Sequence, residues 1–326
     1  VIEEILENLY RLEIPLPENP LRSVNSYVIR TSDRNLIIDT GLNRRECMNA
    51  MELGLTKLGV GIEKTDFFIT HSHSDHLGLT PNIASSTSKI YFSEYDAKRV
   101  GSATLWDDLV NYARLSGFPK NELRGILNHH PGYKYRPRGN MDFSLLKNGD
   151  SISIGDYLFE CIHTPGHTTG HMCLFDPQKR VLVAGDHILN DITPTIQLWS
   201  HDGNPLRKYF ASLEKVFTLN VDLVLPGHRR IFGDCKGRIR ELKHHHQVRA
   251  DEVLSILERG RKNAYQVASL MTWDIAYESW DQFPLSQKWF SIGEANAHLR
   301  YLEEKGKIRG EMGDQDIIVF SLGTNS

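Results

Sequence analysis

Paired cysteines, long apolar runs and a charge excess of either sign are all missing from this 326-residue chain, and each shortage removes a class of protein. Its four cysteines, Cys47, Cys161, Cys173 and Cys235, are widely spaced without a C-x-x-C pair. That argues against a disulfide framework and fits a reducing cytoplasm. Cys161 and Cys173 fall in apolar runs, where a thiol is expected to serve as a core residue. No apolar run approaches the roughly 20 residues a membrane span needs. The opening VIEEILENLYRL is acidic and carries neither the basic n-region nor the small-residue cleavage site of a signal peptide. A formal net charge of −3 and a pI near 6.6 give no global bias toward nucleic acid or a membrane surface. At 37.2 kDa the chain can bury a large core, and one large domain plus a small one is the natural expectation.

What the chain has in excess is histidine, with fifteen. The densest group is THSHSDHLG, from Thr70 to Gly78, which holds four metal-ligand types: His71, His73, Asp75 and His76. It follows TDFFIT, an apolar, β-prone run that reads as a buried strand. If the chain stays extended through His71 and His73, the period of two puts both imidazoles on one side. A turn then returns Asp75 and His76 across the same space, a set that can serve two adjacent metal ions. The plain alternative is a polar loop with incidental histidines; donor types at this density argue against it.

The rest of the chain supplies a scaffold and more donors. Residues 1–40 read as short strands, ending in NLIIDTG with Asp39 at a strand end. An Asp there either points into a site from behind its ligands or closes its own turn. Glu46 to Val60 has helical spacing, so strand, helix and strand alternate up to THSHSDHLG, which sets the class as α/β. Residues 95–145 carry helical runs and the polar stretch HHPGYKYRPRGN, an insertion placed to cap or line a site; His129 and His130 are expected at its surface. The β pattern then returns. TPGHTTGH sets His167 after one apolar strand, AGDH sets Asp186 after another, and LVLPGH sets His228 after a third. Strand ends are where α/β sheets collect function. His163, His171, His187 and His201 are expected behind the ligands or at the surface, and His244 to His246 on a solvated helix face. Past a boundary near 240, the order helix, helix, helix, β-hairpin is that of a winged helix. The expected division is therefore 1–240 and 241–326.

The ordered set NLIIDTG, THSHSDHLG, TPGHTTGH, AGDH and LPGH closely resembles the metallo-β-lactamase superfamily over roughly residues 5–235. The resemblance implies a four-layer αββα sandwich with a dinuclear site along one edge. His71, His73 and His167 would hold one ion, Asp75, His76 and His228 the second, and Asp186 would bridge them. Asp39 and His171 would stand behind the ligands. Two divalent ions about 3.5–4 Å apart can share a water and lower its pKa toward neutrality, and Asp75 would orient that nucleophile. Imidazole and carboxylate donors suit zinc, with iron or manganese also satisfied.

The superfamily spans many substrates, and departures from its subgroups narrow them. HILNDITP after Asp186 lacks the Tyr usual in lactonases of this type and the GDTLF-type run of glyoxalase II. The tail after residue 240 does not read as a flavodoxin-like domain, so a flavodiiron oxidoreductase is not expected. The tail, with HLRYLEEKGKI, is similar to the group containing a mitochondrial β-lactamase-like endoribonuclease. From His244 to Ser326, however, nine Lys/Arg stand against twelve Asp/Glu, whereas a nucleic-acid grip needs a basic face. The expectation is a metal-dependent hydrolase of a small ester- or thioester-like substrate, its tail packing on the core, lining the site or forming an oligomer contact. The alternatives are a phosphodiesterase acting on single-stranded RNA and a ligand sensor whose winged helix reads DNA.

Overall fold

A computed structural model describes residues 1–137, 141–275 and 277–323. Its strands form two sheets and a separate hairpin. The first sheet runs β1 (Ile2–Leu6), β2 (Leu9–Pro15), β3 (Ser23–Ile29), β4 (Asn35–Ile38), β5 (Thr65–Phe68), β6 (Ile90–Ser93) and β7 (Phe143–Leu146) in spatial order. Pairing is antiparallel from β1 to β4 and parallel from β4 to β7. The second sheet contains β8 (Ser151–Ile154), β9 (Tyr157–His163), β10 (Met172–Asp176), β11 (Val181–Gly185) and β12 (Leu223–Pro226). It is antiparallel except where β11 and β12 pair parallel.

Alternation along the strands decides how the sheets pack. Tyr27, Ile29, Leu36, Ile38 and Phe68 of the first sheet meet Phe159, Cys161, Met172, Leu174, Val183 and Leu225 of the second in one buried cluster. The intervening residues Leu12, Ile14, Val28 and Ile37 cover the other face of the first sheet and pack on Cys47, Met51 and Leu55 of α1 (Arg45–Leu58). Each fully buried Leu, Ile or Phe contributes on the order of 2 kcal/mol of transfer free energy. All four cysteines are free and buried, and burial pushes the Cys161 and Cys173 thiols up to about 12. They are core residues, as the apolar runs around them imply.

Short helices follow the parallel strands: α2 (Ser74–Leu77), α3 (Thr80–Ile83) and α4 (Glu94–Val100). The expected insertion holds α5 (Leu105–Leu115), α6 (Lys120–His129) and α7 (Pro131–Lys134). Farther on come α8 (Pro205–Phe217), α9 (Cys235–Glu258), α10 (Ala264–Leu270) and α11 (Leu285–Glu304), then the antiparallel pair β13 (Ile308–Met312) and β14 (Ile318–Leu322). None of the described helices is long and apolar enough to cross a membrane.

Contacts divide the chain into two compact units that do not follow chain order. The first contains Val1–Ser102, Pro131–Pro194 and Ser212–Ile239; the second contains Ala103–His130, Thr195–Ala211 and Arg240–Ser326. The second unit has its own core, in which Trp199 and Trp289 stack at 4.1 Å among Leu109, Phe118, Ile292 and Leu299. Inside it, Lys288 pairs with Glu122 at 3.1 Å. His246 departs from the solvated position expected of it: it is fully buried, while His244 is exposed. The His298 Nδ1–H donates to the Glu294 carbonyl at 2.9 Å, leaving its Nε2 to accept from His246 Nδ1 at 3.3 Å.

Burial pushes His298 down to about 4 and His246 well below the usual imidazole range. Both rings are therefore neutral when folded and must charge on acid unfolding. A depressed histidine contributes stability that is intact above its unfolded pKa of about 6.5 and drains away as pH falls toward the folded value. For His298 this amounts to about 2 kcal/mol between pH 7 and pH 5. The variant His298→Asn is expected to be less stable than wild type at pH 7 but to lose less between pH 7 and pH 5. Urea unfolding at the two pH values measures both.

Candidate metal centre

One edge of the first unit collects the ends of five strands. Asp39 follows β4; His71, His73, Asp75 and His76 follow β5 and enter α2; His167 lies in the loop after β9; Asp186 follows β11; and His228 follows β12. The seven expected ligands come together in three overlapping groups: His71, His73 and His167; His71, His76 and Asp186; and Asp75, His76 and His228. Within each group the donor atoms lie within 4.8 Å of one another. Regular β5 ends at Phe68, before the histidines, yet His73 keeps extended dihedrals and the His71 and His73 rings lie 4.6 Å apart. Asp186 sits at the middle. Its carboxylate is 3.5 Å from the Nε2 atoms of His76, His167 and His228.

Hydrogen bonds on the far side of each ring choose the tautomer. His76 Nδ1–H donates to Asp39 Oδ2 at 2.7 Å, and His228 Nδ1–H donates to the Ser23 carbonyl at 2.7 Å. Thr70 Oγ1 donates to Asp39 Oδ2 at 2.8 Å and so accepts from His71 Nδ1–H at 3.0 Å. In all three rings Nε2 is the nitrogen that faces the cluster, open to a proton or a metal. Among the described residues, those three Nε2 atoms and Asp186 Oδ1 are buried without a hydrogen-bond partner. Orphaned buried polar atoms are costly, and ring nitrogens gathered around a carboxylate call for a cation between them. The donor set therefore fits divalent metal ions, with nitrogen and oxygen ligands and no thiolate. The cradle is also shaped for it. A Cβ on Gly227 would meet Asp186 Oδ1 at 2.4 Å and His76 Cε1 at 2.8 Å.

Charges in the cluster pull in opposite directions. Burial, then the neighbouring imidazoles, hold His71 and His73 well below the usual histidine range, which keeps them neutral and able to coordinate. Burial works against charge on His228 and His76 too, but carboxylates overcome it. Asp186 and Asp75 push His228 up to about 10, and Asp39 with Asp186 lifts His76 well above its ordinary value, so metal binding at these two Nε2 atoms displaces a proton. Burial likewise opposes ionisation of Asp75 and Asp186; His76 and His228 reverse that and hold both below the usual carboxylate range.

Asp39 and His171, expected behind the ligands, each touch residues of the donor cluster. Asp39 is buried in the left-handed region at φ 58, and its Oδ1 also accepts the Thr70 N–H at 2.8 Å. A non-glycine residue held at positive φ is a local strain that the bonds to Thr70 and His76 sustain. His171 Nε2 accepts the Asp186 N–H at 3.1 Å, and its Nδ1 meets Thr164 Oγ1 at 2.8 Å. Of the other histidines, His187 is buried and pushed down to about 3 by burial, His163 stacks on Tyr95 at 4.7 Å, and His201 is exposed. Two supporting residues carry no signal of this role in the sequence motifs: Asn25, whose Nδ2 donates to the Pro226 and Arg229 carbonyls on either side of His228, and Asp96, a buried carboxylate bonded to two of the donor loops. Neither lies in a motif; a polar residue inside the apolar run of β3 was the one hint of Asn25.

A two-sheet α/β fold with an edge cluster of this composition defines a class of metal-dependent hydrolases. The metallo-beta-lactamase superfamily profile matches residues 19–228, and that of a metallo-beta-lactamase-like C-terminal domain matches 251–323. The chain belongs to the metallo-beta-lactamase superfamily and is a hydrolase of that superfamily. It is 24% identical over 265 residues to a beta-lactamase-like protein 2 homolog of Caenorhabditis elegans, covering 79% of this chain and 73% of that one. An atrochrysone carboxyl ACP thioesterase of Cryptosporiopsis is 23% identical over 262 residues, and the match spans 65% of its length. Among solved structures, a metallo-beta-lactamase family protein from Thermus thermophilus superposes with a TM-score of 0.82 at 25% identity, covering 98% of this chain and 100% of that one. A beta-lactamase domain protein from Burkholderia ambifaria gives 0.85 at 22%, covering 99% and 94%.

Substituting Gly227→Ala should crowd Asp186 and His76 without disturbing either sheet. Zinc content measured by atomic emission is expected to fall below that of wild type, while the far-ultraviolet circular dichroism stays the same.

Proposed function

We propose that the protein is a dinuclear metal hydrolase acting on a small ester- or thioester-like substrate. The observation that carries this reading is the set of buried, unpartnered Nε2 atoms around Asp186. His71, His73 and His167 would hold one ion and Asp75, His76 and His228 the other, with Asp186 shared between them. The donors suit zinc best, with iron or manganese also satisfied. Two such ions supply an activated water and an electrophile for the oxygen of the scissile group. The chain's own residues do the positioning. Asp75, ionised and 17% exposed at its side chain, accepts a hydrogen bond from the attacking water and aims it. Asp39 and the Ser23 carbonyl fix the rings of His76 and His228, and burial of the cluster keeps bulk water from competing for the donors.

The thioester assignment draws support from the thioesterase relative, and four free buried thiols agree with a reducing compartment. Residues 1–240 make the catalytic domain, with 95–145 inserted, and 241–326 a winged-helix-like one, although α9 runs through that boundary unbroken. Three helices followed by the β13–β14 hairpin support the winged-helix reading. Its acidic balance weighs against a DNA-reading sensor and favours packing or a homo-oligomer contact.

A nuclease acting on single-stranded RNA is the second reading, and one contact favours it. Ser74 Oγ donates to the Gly132 carbonyl at 2.9 Å, which sets Lys134 and Arg136 close in sequence to a contact with the ligand helix. Of the other basic groups that reading would use, Arg114, Lys120 and Arg124 belong to the second unit, and Arg138 lies outside the described residues.

Zinc-reconstituted protein is expected to release thiol from acyl-thioesters and leave labelled single-stranded RNA intact. Asp75→Ala should lower thioester turnover by at least about a hundredfold. RNA cleavage that Asp75→Ala abolishes, with thioesters untouched, would replace this reading by the second.

A further inference from the structure

We infer that Asp96 is the positioning residue for one half of the dinuclear site, the half built from His71, His73 and His167; the inference rests on the metal-binding reading above. Asp96 lies in α4, outside every donor motif, and its side chain is fully buried. Its two oxygens accept three hydrogen bonds, each of 2.8 Å. Ser72 N–H and Thr168 Oγ1–H donate to Oδ2, and Gly170 N–H donates to Oδ1. Ser72 is the residue between His71 and His73, and Thr168 directly follows His167. One carboxylate thus joins the two loops whose imidazoles form the first donor group. With its oxygens aimed at those three donors, Asp96 falls in none of the groups that could hold an ion.

The approach is close as well as bonded. A Cβ on Gly170 would lie 2.5 Å from the Asp96 backbone nitrogen and 2.8 Å from its Cγ, so the β9–β10 loop reaches the carboxylate only because residue 170 has no side chain. His76 and His228, in the other half, are held elsewhere, by Asp39 and the Ser23 carbonyl. His71 and His73 come from one loop and His167 from another, 94 residues further along the chain from His73. Their spacing is therefore a tertiary property, and Asp96 is the side chain that spans it.

Asp96→Asn separates this role from charge and size. An amide offers one acceptor oxygen where three donors converge, so at most two of the three bonds survive, and the amide N–H₂ then faces a donor. Losing a support of this kind costs about 10- to 100-fold in metal affinity.

The test is zinc bound per chain at graded, chelator-buffered zinc, read by atomic emission on the full chain. Wild type is expected to hold two ions, and Asp96→Asn one at its original affinity and one weakened by about 10- to 100-fold. Two backgrounds identify which ion moves. With His228→Ala, which spares the first donor group, adding Asp96→Asn should strip the remaining ion; with His167→Ala, the remaining ion should be unaffected. Thr168→Val removes a single bond of the three and should weaken the same ion by a smaller factor, which keeps the inference testable if Asp96→Asn fails to fold. Two ions at unchanged affinity in both Asp96→Asn and Thr168→Val would overturn the role of Asp96 alone. Fewer than two ions on wild type would overturn the dinuclear reading and this inference together.

Discussion

The fold is built around an electrostatic conflict. Three imidazole Nε2 atoms and a carboxylate oxygen face one another, each buried and, among the described residues, without a hydrogen-bond partner. Placing unpaired polar atoms together in a low-dielectric interior is among the most costly arrangements a protein can hold. It is tolerable when cations sit among them, and the rest of the molecule serves to keep these atoms aimed inward until then. Each of the His71, His76 and His228 rings is turned by a hydrogen bond on its outer nitrogen, so the orientation that points Nε2 at the cluster is the one the surrounding structure selects.

Sheet geometry makes that convergence cheap. Parallel strands deliver their carboxyl ends to one edge, and β4, β5, β11 and β12 each end there in a donor or its support. Between the sheets, the interdigitated apolar cluster holds the two edges in register. The Met172 N–H to Thr70 carbonyl bond at 2.9 Å ties them directly behind the ligands. Asn25 and Tyr27 of β3 grip the Pro226 carbonyl, so the turn that carries His228 is anchored on the first sheet although its strand belongs to the second.

Much of this was legible in the sequence because it is local. A β-prone run followed by THSHSDHLG, or an apolar strand ending in Asp or Pro-Gly-His, announces both an element and a donor at its end. What the sequence hid is tertiary. Asp96 looks like an ordinary first-turn acid of α4, and nothing nearby shows that the donors to its carboxylate lie in the loops at Ser72 and Thr168. Asp39 could have been a turn residue closing on itself; its left-handed backbone and its bond to His76 settle its contacts. His246 looked solvated because it sits in a run of three histidines on a helix of weak amphipathic pattern, yet one ring of the three is buried against His298. The compact units were hidden for a related reason: 103–130 and 195–211 cluster with the C-terminal region through contacts that no chain-order pattern records.

The most direct test of the account is the anomalous difference map of a crystal of zinc-loaded protein, collected above and below the zinc edge. Two peaks about 3.5–4 Å apart, flanking Asp186 and bounded by His71, His73, His167, Asp75, His76 and His228, are the predicted result. A map with no peak among those seven side chains, or with zinc bound at other residues, would contradict the claim that the unpartnered Nε2 atoms hold metal.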